Sequence, residues 1–177
     1  MNKKNNEVFY ITLITITLII SNIFTEYSYF KILEYPVILS VFTYPFILFF
    51  ANQLTKKSIS KTIIAILIAL LVQTLIFIST NLLTSTKIDL YIILATLISF
   101  GITMIINTII YNKYLKNSIK YLKLLILYTG MLLMDSIIYL LINNNGIPLD
   151  FFMLILLSNI FRILIGALLA LIEVILK

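Results

Sequence analysis

The chain contains no cysteine and no histidine. Without cysteine there is no disulfide, no thiolate nucleophile and no sulfur-ligated metal site. Without histidine the commonest metal ligand and the commonest proton relay near neutral pH are missing as well. Charge is scarce: 11% of residues carry one, and only 7 are Asp or Glu. No carboxylates stand paired for acid–base work and no serine is spaced from a base, so no catalytic constellation is present. The chain reads as a non-enzyme that needs no metal and no cofactor. A heptad run, a low-complexity linker and an internal repeat are also absent.

What remains is apolar. Of 177 residues 62% are hydrophobic, and the mean hydropathy is +1.12. A soluble domain of this size lacks the polar surface to cover so much apolar side chain. The composition implies one integral membrane domain over residues 1–177, all-α, with no room for a soluble module. The formal charge of +6 is spread over short connections, which reads as membrane topology and not as nucleic-acid binding. No small-residue cleavage site follows the first apolar stretch, so that stretch is expected to be retained.

Six apolar stretches, each near the ~20 residues a bilayer requires, run over 8–25, 36–53, 61–81, 88–111, 121–142 and 149–176. The second is expected to start at Pro36, a tolerated first-turn position. Pro45 inside it would then free the carbonyl of Val41. Lys3, Lys4, Lys56, Lys57, Lys61, Lys113, Lys116, Lys120, Lys123 and Lys177 fall on one side of this plan, and Lys31 and Lys87 on the other. By the positive-inside rule both termini are cytoplasmic. The connection from Glu26 to Tyr35 and the turn around Asn143–Pro148 are then outer loops.

Within the apolar stretches polar residues recur at helical spacing. Thr96, Ser99, Thr103 and Asn107 form a stripe in the fourth, and Tyr121, Tyr128, Asp135, Ser136 and Tyr139 share a side of the fifth. Thr12, Thr15, Asn22 and Glu26 run along the first, Thr43, Tyr44 and Asn52 mark the second, and Gln73 the third. In the sixth, Asn159, Arg162, Gly166 and Glu173 fall on one side, with Ala170 close by. Arg162 dominates this set, because a guanidinium does not shed its proton and costs roughly 2.5–3.5 kcal/mol at the centre of a membrane helix. For any single threonine the expected role is interhelical glue, worth about 0.6 kcal/mol. Five stretches that each turn a hydroxyl, amide or charge inward describe a polar cavity suited to a small planar hydrogen-bonding solute. Asp135 is the natural partner of Arg162. Counted from the outer ends of their stretches, however, the two lie about 10 Å and about 20 Å deep. A direct bridge and a bridge through substrate or water both remain open.

Several segments resemble a known family, the queuosine-precursor transporters, which are also grouped as vitamin-uptake transporters. Phe42-Thr43-Tyr44-Pro45-Phe46 is similar to the family's Phe-Thr-Phe/Tyr-Pro-Phe segment, and Ser21-Asn22-Ile23 to its asparagine near the end of helix one. Tyr111-Asn112-Lys113 resembles the Phe-Asn-Arg that closes helix four, and Asp135-Ser136 with Tyr139 the Asp-Thr/Ser and following Phe of helix five. Arg162 stands where the family usually has Lys. Asn52 and Asn107 stand where it normally has Asp, and the proline common in helix six is absent. Asparagine keeps the shape and adds a donor, but it carries neither charge nor a proton.

The resemblance implies a bundle of six transmembrane helices in the bacterial inner membrane, with both termini inside. It further implies import of a 7-deazaguanine such as preQ0, preQ1 or queuine for tRNA modification. On this reading the substrate is held by Asn22, Thr43, Tyr44, Asn52, Asn107, Asp135 and Arg162. The partners are a purine-like small molecule and the lipid bilayer, with no nucleic acid and with a homodimer left open. Two alternatives differ in class. One is the substrate-binding subunit of an energy-coupling-factor vitamin transporter, disfavoured because the first stretch holds none of the alanines that dock coupling subunits. The other is a membrane assembly protein that transports nothing.

Overall fold

The computed structural model describes the backbone of residues 3–27, 29–32, 35–83, 90–142 and 149–176, and the side chains of 6–21, 41–82, 90–91, 93–142 and 157–176. The Asn22 side chain, the turn expected around Asn143–Pro148, and Lys87 and Lys177 lie outside the described residues.

Six α-helices run in order: α1 (Lys3–Tyr27), α2 (Tyr44–Lys57), α3 (Ile59–Leu83), α4 (Leu90–Ile110), α5 (Tyr121–Ile142) and α6 (Leu149–Ile175). Among the described residues four stretches are long and apolar enough to cross a membrane: Ile59–Leu82, Ile93–Leu115, Tyr121–Ile142 and Leu157–Ile175. This is the architecture of a multi-pass membrane protein. A shorter apolar stretch, Asn6–Ser21, lies in α1.

The second expected stretch is where sequence and structure part. Residues 36–43 are not the start of a helix. Strands β1 (Tyr29–Ile32) and β2 (Tyr35–Ile38) pair antiparallel, with Lys31 opposite Pro36, and a 3-10 turn follows at Leu39–Phe42. The aromatic and β-branched side chains of this segment favour extended backbone, and Pro36 tolerates a place in an edge strand. Pro45, not Pro36, is the first-turn proline of the helix. It therefore frees no carbonyl of Val41, which lies upstream of α2 in the 3-10 turn. The helix has 14 residues, roughly 21 Å of rise against a hydrocarbon core of ~30 Å.

This short helix is also the central one. It packs against α1, α3, α4 and α6, and ten of its side chains from Tyr44 to Thr55 are buried. Its end is sharp: Ser58 is extended, and the Ser58 carbonyl accepts from the Thr62 amide at 3.2 Å as α3 begins. Thr55 and Thr62 then join the two helices hydroxyl to hydroxyl at 3.2 Å. In contrast α3 exposes Ile64, Leu67, Leu71, Leu75 and Ile78, an apolar outer face suited to lipid.

The inward faces follow the polar stripes in α4 and α6 and depart from the expected one at Thr12 of α1. Ser99, Thr103, Asn107, Asn159, Ala170 and Glu173 are all buried. In α1 the buried side chains are Glu7, Ile14 and Leu18, while Thr12 is exposed. Thr12 and Thr15 donate to the carbonyls of Val8 and Ile11 one turn back. A threonine satisfied by its own helix can face lipid, so Thr12 does not line the interior; Thr15 is half-buried, and the side chains of Asn22 and Glu26 lie outside the described residues.

Candidate functional site: two buried polar clusters

The first cluster is built on the register between α5 and α6. Arg162 Nη1 lies 3.3 Å from Asp135 Oδ2, a direct bridge. The same nitrogen reaches Ser136 Oγ at 3.4 Å, and Ser136 donates to Asn159 Oδ1 at 2.9 Å. The unequal depths counted from the sequence are reconciled because the two helices do not start level. Asp135 stands seven residues before the end of α5 and Arg162 thirteen after the start of α6, so their pairing carries the N-terminal part of α6 past the end of α5, and α6 also packs against β2 and the 3-10 turn.

Helix α2 closes this cluster from the other side. The guanidinium of Arg162 stands 5.4 Å from the centre of the Tyr44 ring, within reach of a cation–π contact. Phe100 meets that ring edge-on at 6.1 Å. Ser99 of α4 lies beside Asp135. The Tyr44 hydroxyl lies beside Asp135 and Thr103 without reaching hydrogen-bond geometry to either. Thr103 Oγ1, Ser158 Oγ and Arg162 Nε are likewise buried without a hydrogen-bond partner among the described residues. Ser158 precedes Arg162 by one helical turn, on the same face. Buried polar groups are rarely left unmatched, and each costs about 1–3 kcal/mol when they are. Tyr44 Oη, Thr103 Oγ1 and Arg162 Nε thus stand at the ion pair, and Ser158 Oγ one helical turn from it, with hydrogen-bonding capacity left over.

The second cluster lies eleven residues further along α6, roughly 16 Å by helical rise. Its centre is Glu173, which is 0% exposed. Tyr111 donates to Oε1 at 2.5 Å, Tyr128 to Oε2 at 3.1 Å and Asn52 Nδ2 to Oε2 at 3.4 Å. Lys56 Nζ stands 3.5 Å from Oε1. Asn107 in turn donates to Asn52 Oδ1 at 2.9 Å. One carboxylate thereby ties α2, α5 and α6 to Tyr111, the first residue of the π-helical turn Tyr111–Leu115 that continues α4. Leu48, Met104, Leu132 and Leu169, all buried, occupy the intervening levels on those four helices.

The expected substrate set therefore divides. Tyr44, Asp135 and Arg162 come together in the first cluster. Asn52 and Asn107 join each other and Glu173 in the second, where their amide groups are already engaged. Thr43 is the residue before α2, and its carbonyl accepts from the amides of Phe46 and Ile47. The expected set also lacks Glu173, Tyr111, Tyr128 and Lys56. Tyr111 could have been found, because it continues the Ser99–Thr103–Asn107 stripe by one more step of four. Lys56 could not, since a lysine at a helix end reads as solvated.

No family model matches the chain, and no curated protein or solved structure matches it.

Proposed function

We propose that the protein is a membrane carrier that binds a small planar hydrogen-bonding solute at the Asp135–Arg162 pair. The solute we assign to it is a 7-deazaguanine precursor of queuosine, imported across the bacterial inner membrane. The observation that carries the reading is the set of buried, unmatched polar atoms on Tyr44, Thr103, Ser158 and Arg162 around one ion pair. Asp135 meets Arg162 through Oδ2 and, with the Ser99 and Tyr44 hydroxyls beside it, keeps lone pairs for an amidine-like edge. The Arg162 Nε–H is free to donate to a ring carbonyl, and the aromatic rings of Tyr44 and Phe100 offer a stacking partner. In support stand also the Phe42–Phe46 segment and the Asp135-Ser136 pair, which resemble that transporter family.

Uptake of labelled preQ1 and queuine, measured in cells that neither make nor import them, tests this directly. Expression of the chain is expected to restore uptake, Tyr44→Phe to weaken it and Arg162→Ala to abolish it. Normal membrane insertion with no uptake and no binding of either compound would reject the substrate assignment.

A further inference from the structure

At the lysine-rich end of the bundle, away from Arg162, lies a cavity of about 300 Å³ lined by Gln53, Lys56, Lys116, Asn117, Ile119 and Leu176. We infer that this cavity is a binding site for a phosphate group, and that the group it takes is the headgroup of an anionic phospholipid.

The charges favour an anion. Lys56 is shared with Glu173, but Lys116 forms no ion pair among the described residues. Lys113, Lys120 and Lys123 on the same connection add to the field. The donors favour an oxyanion in particular. Lys56 Nζ donates to Gln53 Oε1 at 3.2 Å, which fixes the orientation of that amide. Gln53 is buried, and its Nε2 has no hydrogen-bond partner among the described residues. A buried N–H₂ beside the Lys56 ammonium, in a cavity that Lys116 also lines, presents donors only, which a phosphate oxygen satisfies and a cation or neutral acceptor-poor ligand does not.

The walls favour a lipid over a free phosphate ester. Ile119 and Leu176 supply apolar sides, and Ile175 and Leu176 are largely exposed at the end of α6. A volume of this size sits at the lower end of small-ligand pockets, ~300–1,000 Å³. Basic pockets between membrane helices on the side rich in lysine commonly hold anionic headgroups. The site does not depend on what the carrier transports, because none of its six residues touches the Asp135–Arg162 pair.

The test uses the purified full chain and Lys116→Gln, a half-buried residue whose loss breaks no ion pair seen here. Lys120→Gln, exposed and outside the cavity, removes the same charge as a control. Native mass spectrometry after extraction from vesicles of phosphatidylethanolamine and phosphatidylglycerol should show phosphatidylglycerol retained by the wild type and by Lys120→Gln. Retention should fall about five-fold in Lys116→Gln, the loss of one lysine contact of ~1 kcal/mol. A second arm adds inorganic phosphate or glycerol phosphate to lipid-free protein in detergent. Thermal protection that depends on Lys116 in that arm alone would keep the phosphate site and assign it to a soluble ester. Equal retention by both variants, or no preference for phosphatidylglycerol over phosphatidylethanolamine, would overturn the inference.

Discussion

Glu173 and Arg162 sit on the same face of α6 and solve the same problem by different means. A buried charge is stable only when nearby groups replace its water. Glu173 has its donors in full: two phenols, an amide and an ammonium. Removing Tyr111's hydroxyl with Tyr111→Phe is expected to cost about 1.5–3 kcal/mol, the range for a hydrogen bond to a charged group. Glu173→Leu should cost more, because it strands the donors of Tyr111, Tyr128, Asn52 and Lys56 together. Unfolding in detergent of both variants ranks them, and an inverted order would show that the cluster is not centred on the carboxylate. Arg162 has only part of its donor set matched. Arg162→Ala leaves Asp135 buried without its counter-charge and is expected to lower stability by about 3 kcal/mol. Adding Asp135→Ala should recover much of that stability but none of the uptake. If the double variant transports normally, the pair is structural; if the effects of the single changes simply add, the two residues are not coupled.

Between elements, the contact that sets the clusters is the close approach of α5 and α6 at Gly166. A Cβ placed there would lie 3.4 Å from Tyr128 Cβ and 3.4 Å from Leu132 Cδ1. Gly166→Ala is therefore expected to fold with little loss. Gly166→Leu should separate the helices and pull Tyr128 from Glu173, at a cost of about 1–3 kcal/mol as overpacking. Equal stability of the two variants would mean that the helices can part without penalty. The stripe on α4 offers a second comparison. Asn107 and Thr108 are both buried, but Asn107 bonds across to Asn52 while Thr108 bonds the Met104 carbonyl of its own helix at 2.8 Å. Asn107→Leu should therefore impair uptake far more than Thr108→Val, which keeps the volume. Equal uptake by these two variants at equal expression would reduce the stripe to packing.

For the whole molecule, the lysines gather at the end of the bundle that holds the α2–α3 and α4–α5 connections. By the positive-inside rule that end is expected to be cytoplasmic. A reporter fused to the C-terminus is expected to be active only when cytoplasmic. Activity restricted to the periplasm would reverse the direction in which the two clusters are met. The ion pair of Lys61 with Glu7, which joins α3 to α1 at that same end, is expected to be insensitive to the solute proposed for the Asp135–Arg162 pair. Both residues lie outside the two clusters.

Much of this was already legible in the chain, because the relevant signals are local. Apolar length specified the membrane class, and the bounds of α1 and of α3 to α6 follow within a few residues. Helical periodicity picked out the buried faces of α4 and α6, since neighbours three and four apart share a side whatever the rest of the bundle does. The relations between helices were not local. Sequence spacing put Asp135 and Arg162 at different depths, and the extension of α6 past the end of α5 brought them level. Composition made residues 36–53 look like one span, whereas strand pairing took 36–38 and left a short, central α2. Periodicity placed Glu173 on a polar face, but only the packing of α2, α4 and α5 around it gave it partners. Register, tilt and overhang come from how side chains of distant segments fill shared space, and no window of sequence contains that space.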